Sequence, residues 1–138
     1  MANFTTESQV RGKFHLTDTT LVPSDWVTAS ITDAHTELLR YLDPAFASGT
    51  PEDGLVLGET LLAGAHLYRS LAAKQAFDQK RVSAGGQRIE EADRLDALET
   101  IARIAEEQAW HFLEPYLLEH PGRLALEASD SVPVLGED

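Results

Sequence analysis

Apolar side chains recur at helical spacing in three long runs of this chain. In the first, Val27, Ile31, Ala34, Leu38 and Leu42 fall on one stripe, with Leu39 widening it. This predicts a helix from Trp26 to Leu42, with Ser24 or Asp25 as N-cap and Asp43-Pro44 as its stop. The segment "PAFASGTPEDG" then has the proline and glycine punctuation of a loop. The second run places Leu57, Leu61, Ala65, Tyr68, Leu71, Ala72, Gln75 and Ala76 on one side, predicting a helix from Leu55 to Gln79. Gly58 and Gly64 lie inside it, each costing about 1 kcal/mol relative to alanine, which points to close approach of a neighbouring helix. The third run, Glu90 to Tyr116, sets Leu95, Leu98, Ile101, Ala102, Ala105, Ala109, Phe112 and Tyr116 on its inner side.

The flanks lack this periodicity. Residues 1–23 are rich in Thr and Ser and read as an N-terminal arm, with at most a short strand at Lys13–Thr17. Residues 122–138, ending "SDSVPVLGED", read as a C-terminal arm with an acidic tip. Between the second and third helices lies "KRVSAGGQRIE". Arg81–Ala84 and Gln87–Ile89 could pair across Gly85-Gly86, since glycine supplies the positive φ of a two-residue hairpin turn. A hairpin of that size is marginal in water and requires a surface to lie on. The expected fold is therefore all-α: one domain over residues 24–121, a bundle of three main helices, with a short β-hairpin or loop between helices two and three and extended arms at both ends.

Charge changes this picture. The 138 residues carry a formal charge of −12, which disfavours sequence-specific nucleic-acid binding and docking on an anionic membrane. The distribution is uneven: residues 69–88 hold five basic residues against one acid, Asp78, while residues 90–116 hold eight acids against Arg94 and Arg103. An acidic chain thus contains one basic island, centred on the glycine link. No stretch approaches the roughly 18 apolar residues of a membrane helix. The start "MANFTTESQVRGKF" has no apolar signal region, and cysteine is absent. These features point to a cytoplasmic protein with neither disulfides nor thiolate metal sites.

Catalytic patterns are not found. There is no Gly-x-Ser-x-Gly, and "SAGGQR" lacks the Lys-Ser/Thr ending of a phosphate loop. His35, His66 and His111 fall one on each predicted helix, but none has a carboxylate three positions upstream, as a Glu-x-x-His metal site requires. Glu107 and His111 are a surface i,i+4 pair, and the acids of the third helix read as a solvated face. Trp110, Phe112 and Tyr116 read as core anchors. Trp26, at a helix start, suits either the core or a subunit interface. The expectation is a protein that is not an enzyme and holds no cofactor or metal.

Unequal charge suggests assembly instead. A basic island meeting the acidic third helix or acidic tail of the next copy makes a heterologous, head-to-tail contact, and such contacts close into rings. The interface candidates are Lys80, Arg81, Val82, Gly85, Gly86, Arg88 and Ile89, with Trp26 and the two arms. The order "DWVTASITDAHTELLRYLD", "LLAGAHLYRSLAAKQAF", "KRVSAGGQRIE" and "RLDALETIARIAEEQAWHFLEPYL" resembles the small all-helical head-tail connector (adaptor, or head-completion) proteins of tailed bacteriophages and prophages. That resemblance covers residues 24–118. It implies a homo-oligomeric ring at the virion neck, built in the host cytoplasm and bound to the portal protein and to a neck or tail completion protein. The segment from Gly122, not helical by its pattern, departs from it. A rival reading takes the net charge as that of an acidic regulatory protein or DNA mimic occupying a partner's basic cleft. The basic island weighs against it.

Overall fold

A computed structural model describes residues 3–81, 87–119 and 121. Four α-helices make up its regular structure: α1 (Glu7–Phe14), α2 (Ser24–Leu39), α3 (Asp53–Arg81) and α4 (Gln87–Leu113). The long α3 is the axis of the fold, with α4 packed along one side and α2 and α1 along others. Short 3-10 turns follow α2 at Pro44–Phe46 and α4 at Glu114–Tyr116. An antiparallel bridge between Leu42 and Leu117 ties the two ends together.

The three expected helices are present, with α2 starting at Ser24 and ending at Leu39. Ser24 does not cap α2. Pro23 holds the N-cap position, and the Ser24 hydroxyl instead donates to Glu7 Oε2 at 2.8 Å. The N-terminal segment corrects the expectation of an arm. Residues 7–14 form α1, started by a capping box in which the Gln9 backbone N–H donates to Thr6 Oγ1 and the Thr6 backbone N–H to Gln9 Oε1. Lys13 and Phe14 are therefore helical, and His15 ends the helix in the left-handed region at φ 56°. Arg11 closes the following loop, donating to the carbonyls of Leu16 and Val22. It also pairs with Glu7, whose carboxyl is held below its usual range by Arg11 and Ser24.

The hairpin expectation is also corrected where residues are described. Arg81 lies in α3, and Gln87, Arg88 and Ile89 lie in α4. Two helices packed along their length bury apolar surface that a lone two-strand hairpin has no means to bury. Residues 82–86, including Val82, Gly85 and Gly86, and residues 122–138 lie outside the described residues.

The core joins Phe4, Val10, Val22, Val27, Ile31, Leu38 and Leu42 to Leu55, Leu61, Leu62 and Leu67 of α3 and to Ala109 and Leu113 of α4. Both interior glycines of α3 sit at close approaches. A Cβ on Gly58 would overlap the Leu113 side chain, and one on Gly64 would overlap the Phe14 ring. Helix α4 meets α3 with small residues: Ala102, Ala105 and Ala109 are buried, as are Ala65 and Ala72 of α3.

Candidate interaction surfaces

Helix α4 directs Ala102, Ala105, Ala109 and Leu113 inward and leaves three large apolar residues outward. Ile101, Ile104 and Phe112 are 39%, 43% and 42% exposed. At separations of three and eight residues they lie along one side of the helix. This corrects the assignment of Ile101 and Phe112 to the inner side. Alanines at 102, 105 and 109 already fill the narrow space against α3, so the bulkier neighbours are displaced to the surface.

A second feature gathers where the N-terminus of α2 meets the C-terminal half of α3. Trp26 is partly buried there, with Lys74 Nζ 5.5 Å from its ring centroid, a cation–π distance. Phe77, one turn beyond Ala73 on α3, is 63% exposed. Of the two settings left open by sequence, the structure shows the first: Trp26 packs on the edge of the core, with Lys74 beside its ring. Next to it a cleft of about 270 Å³ is lined by Asp25, Trp26, Ala29, Ser30 and Asp33 of α2 and by Ser70 of α3. Of the other interface candidates, Lys80 and Arg81 fall on α3 and Arg88 and Ile89 on α4. Their side chains lie outside what the structure describes.

The acids of α4 are less available than their number suggests. Glu106 pairs with Arg69 of α3, and Glu107 with Arg103 at 3.2 Å. By contrast, Asp25 and Asp33 make no ion pair with any described residue.

A buried carboxylate with three hydrogen bonds is a group that sequence reading missed. Glu59 of α3 is fully buried. Its Oε2 accepts the backbone N–H groups of Phe4 at 2.6 Å and Thr5 at 2.8 Å, and its Oε1 accepts His35 Nδ1–H at 2.5 Å. Thr5 and Thr60 hydroxyls bond at 2.6 Å beside it, and the Phe4 ring packs edge-on against His35. One carboxylate therefore fastens the N-terminal segment to α2 and α3. Its only sequence signal was an acid within the apolar run "LVLGETLLAGAHL". His35 Nε2 has no hydrogen-bond partner among the described residues.

His66 of α3 faces Glu37 of α2, with Nε2 3.5 Å from Oε1. That is an ionic contact longer than a normal hydrogen bond, and neither atom has another partner among the described residues. The Glu37 carboxylate raises the His66 pKa above 6.5 against the opposing effect of burial, and Asp33 adds to the rise. His35 and His66 each meet a different glutamate, and His111 is exposed near the end of α4. Among the described residues no group of three His, Asp or Glu is placed to hold a metal ion, and no helix is long and apolar enough to cross a membrane. Set against known proteins, the chain matches no family model, no curated protein and no solved structure.

Proposed function

We propose that the protein is a non-enzymatic assembly module that joins copies of itself head to tail, as a ring-forming head-tail connector of a tailed phage or prophage would. The observation that carries this reading is the inverted use of apolar residues on α4. A helix that packs alanines inside while leaving Ile101, Ile104 and Phe112 on one outer line retains a surface suited to burial against another subunit. The aromatic and basic patch of Trp26, Lys74 and Phe77, on α2 and the C-terminal half of α3, offers a second surface of different character. Two unlike patches on one subunit suit a heterologous contact rather than a two-fold one. In this reading the portal protein and a neck or tail completion protein are the outer partners of the ring.

The test is the solution mass by light scattering across protein concentration, at low and high salt, with negative-stain imaging of any large species. A closed oligomer that weakens with salt, and that Arg81→Glu with Arg88→Glu abolishes without loss of helical circular dichroism, is the expected result. A chain that stays monomeric at every concentration, both alone and mixed with a portal ring, would refute the reading.

A further inference from the structure

We propose that the cleft beside Trp26 is a receptor for a guanidinium group, and that its occupant is Arg81 or Arg88 from the basic link of a second copy. This rests on the head-to-tail reading above and names the contact that makes it.

Residues 25, 26, 29, 30 and 33 follow one another along a single side of α2, and Ser70 of α3 closes the opposite wall. The cleft thereby combines three groups that recognise a planar cation. The Trp26 ring lines the cleft as an aromatic surface, in addition to its contact with Lys74 at 5.5 Å. Asp25 and Asp33 supply carboxylates at the two ends of the strip, neither paired with a described residue. The third group is Ser30, whose side chain lines the cleft although the residue is only 3% exposed. Its hydroxyl bonds to no described residue and is not among the enclosed unpaired atoms of the fold, so it is open to an incoming N–H. Arginine fits this set better than lysine, because a flat guanidinium can stack on the indole while donating to carboxylate and hydroxyl together.

Charge complementarity selects the occupant. The described cations nearby are already engaged: Arg69 with Glu106, and Lys74 over Trp26. The acids of α4, the receiving face expected from charge counting, are partly neutralised by Arg69 and Arg103. The densest positive stretch of this chain is Lys80, Arg81 and Arg88, and the unpaired aspartates of α2 are its match.

The experiment uses the full chain carrying Trp110→Phe, so that Trp26 is the sole indole, titrated with a synthetic peptide of residues 80–90. A saturable change in Trp26 emission is expected. It should weaken by about tenfold or more in Asp25→Asn with Asp33→Asn, and when both peptide arginines are replaced by alanine. No emission change, or a change indifferent to the aspartates, overturns the receptor. If Arg81→Glu with Arg88→Glu alters Trp26 emission in a dilute monomeric chain, the link fills its own cleft and the second-copy occupant is overturned. Light scattering on the same variants separates the two proposals. Assembly that persists undiminished in the aspartate variant sinks the cleft and spares the assembly reading. Peptide binding by a chain that never self-associates sinks the assembly reading and, with it, the second copy as occupant.

Discussion

Replacing Glu59 tests whether one buried carboxylate holds the N-terminal segment in place. In Glu59→Ala, the backbone N–H groups of Phe4 and Thr5 and the Nδ1–H of His35 all lose their acceptor. A buried donor left unpaired costs about 1–3 kcal/mol. The full sum is not reached, because residues 3–6 can lift away and hydrate their N–H groups. Lifting exposes the Phe4 ring, at about 1.5–3 kcal/mol, and leaves a void beside His35. The expected loss is about 3–4 kcal/mol, within the range for removing one member of a buried charged network and a large share of the stability of a domain this size. Glu59→Gln separates charge from geometry. Its amide oxygen can still accept both N–H groups, and its NH₂ can face His35 if that ring moves its proton to Nε2, which has no described partner. Only the charge-assisted part of the bonds is lost, about 1 kcal/mol. Urea unfolding followed by far-UV circular dichroism reads both losses, and amide exchange at Phe4 and Thr5 reports the segment directly. An alanine variant no less stable than the glutamine variant, with both amides still protected, would refute the latch.

Gly58→Ala gains about 1 kcal/mol of helix propensity but drives a Cβ into Leu113, an overpacking that costs about 1–3 kcal/mol. A net loss is expected in denaturant unfolding, and Leu113→Ala in the same chain should relieve it; simple additivity of the two changes would count against the contact. The His66–Glu37 contact gives a pH signature. A pKa raised from 6.5 by Glu37 contributes stability that is fully present below 6.5 and is lost as pH rises through the raised value. Melting temperatures across that interval should fall more steeply with pH for the native chain than for Glu37→Gln, and parallel curves would remove the assignment. Ile104→Asp changes an outward residue of α4, so unfolding by urea should move little while the solution mass drops toward the monomer. An oligomer of unchanged mass would clear α4 of the interface.

The helices of the bundle were legible where one apolar stripe runs for several turns. In α2, Val27, Ile31, Ala34 and Leu38 are all buried, as their spacing predicts. In α1 only Val10 is buried, with Phe14 packed at the edge of the core. Two apolar residues are too few for a period, and the alternation from Lys13 to Thr17 imitates a strand. The usable signal was Thr6 to Gln9, a threonine followed three residues later by glutamine, which is a helix start whatever follows. Helix α4 misled differently. It carries two adjoining apolar stripes, one through Ala102, Ala105, Ala109 and Leu113 and one through Ile101, Ile104 and Phe112, and hydrophobicity alone favours the bulkier members of each. What decides is the space against α3, where Ala102, Ala105 and Ala109 are buried while Ile101, Ile104 and Phe112 stay at the surface.

The same dependence on three-dimensional partners governs the charges. Counting along the chain made the third helix the acidic face and the link the basic one, and both counts are sound. Charge available to a neighbour is what remains after intramolecular pairing, however, and pairing occurs between residues far apart in sequence. Arg69 belongs to the basic island by position yet meets Glu106, 37 residues away. Each such pair removes one charge from both faces at once, since a guanidinium already bonded to a carboxylate attracts a third group only weakly in water. Asp25 drew notice only as a possible cap and Asp33 none, because the larger cluster of acids on the third helix dominated the charge count. They stand out only once Trp26, Ser30 and Ser70 are seen to form one cleft with them. The proposed contact keeps as its cationic half the link that charge counting picked out, and takes its anionic half from the cleft of α2 instead of from α4.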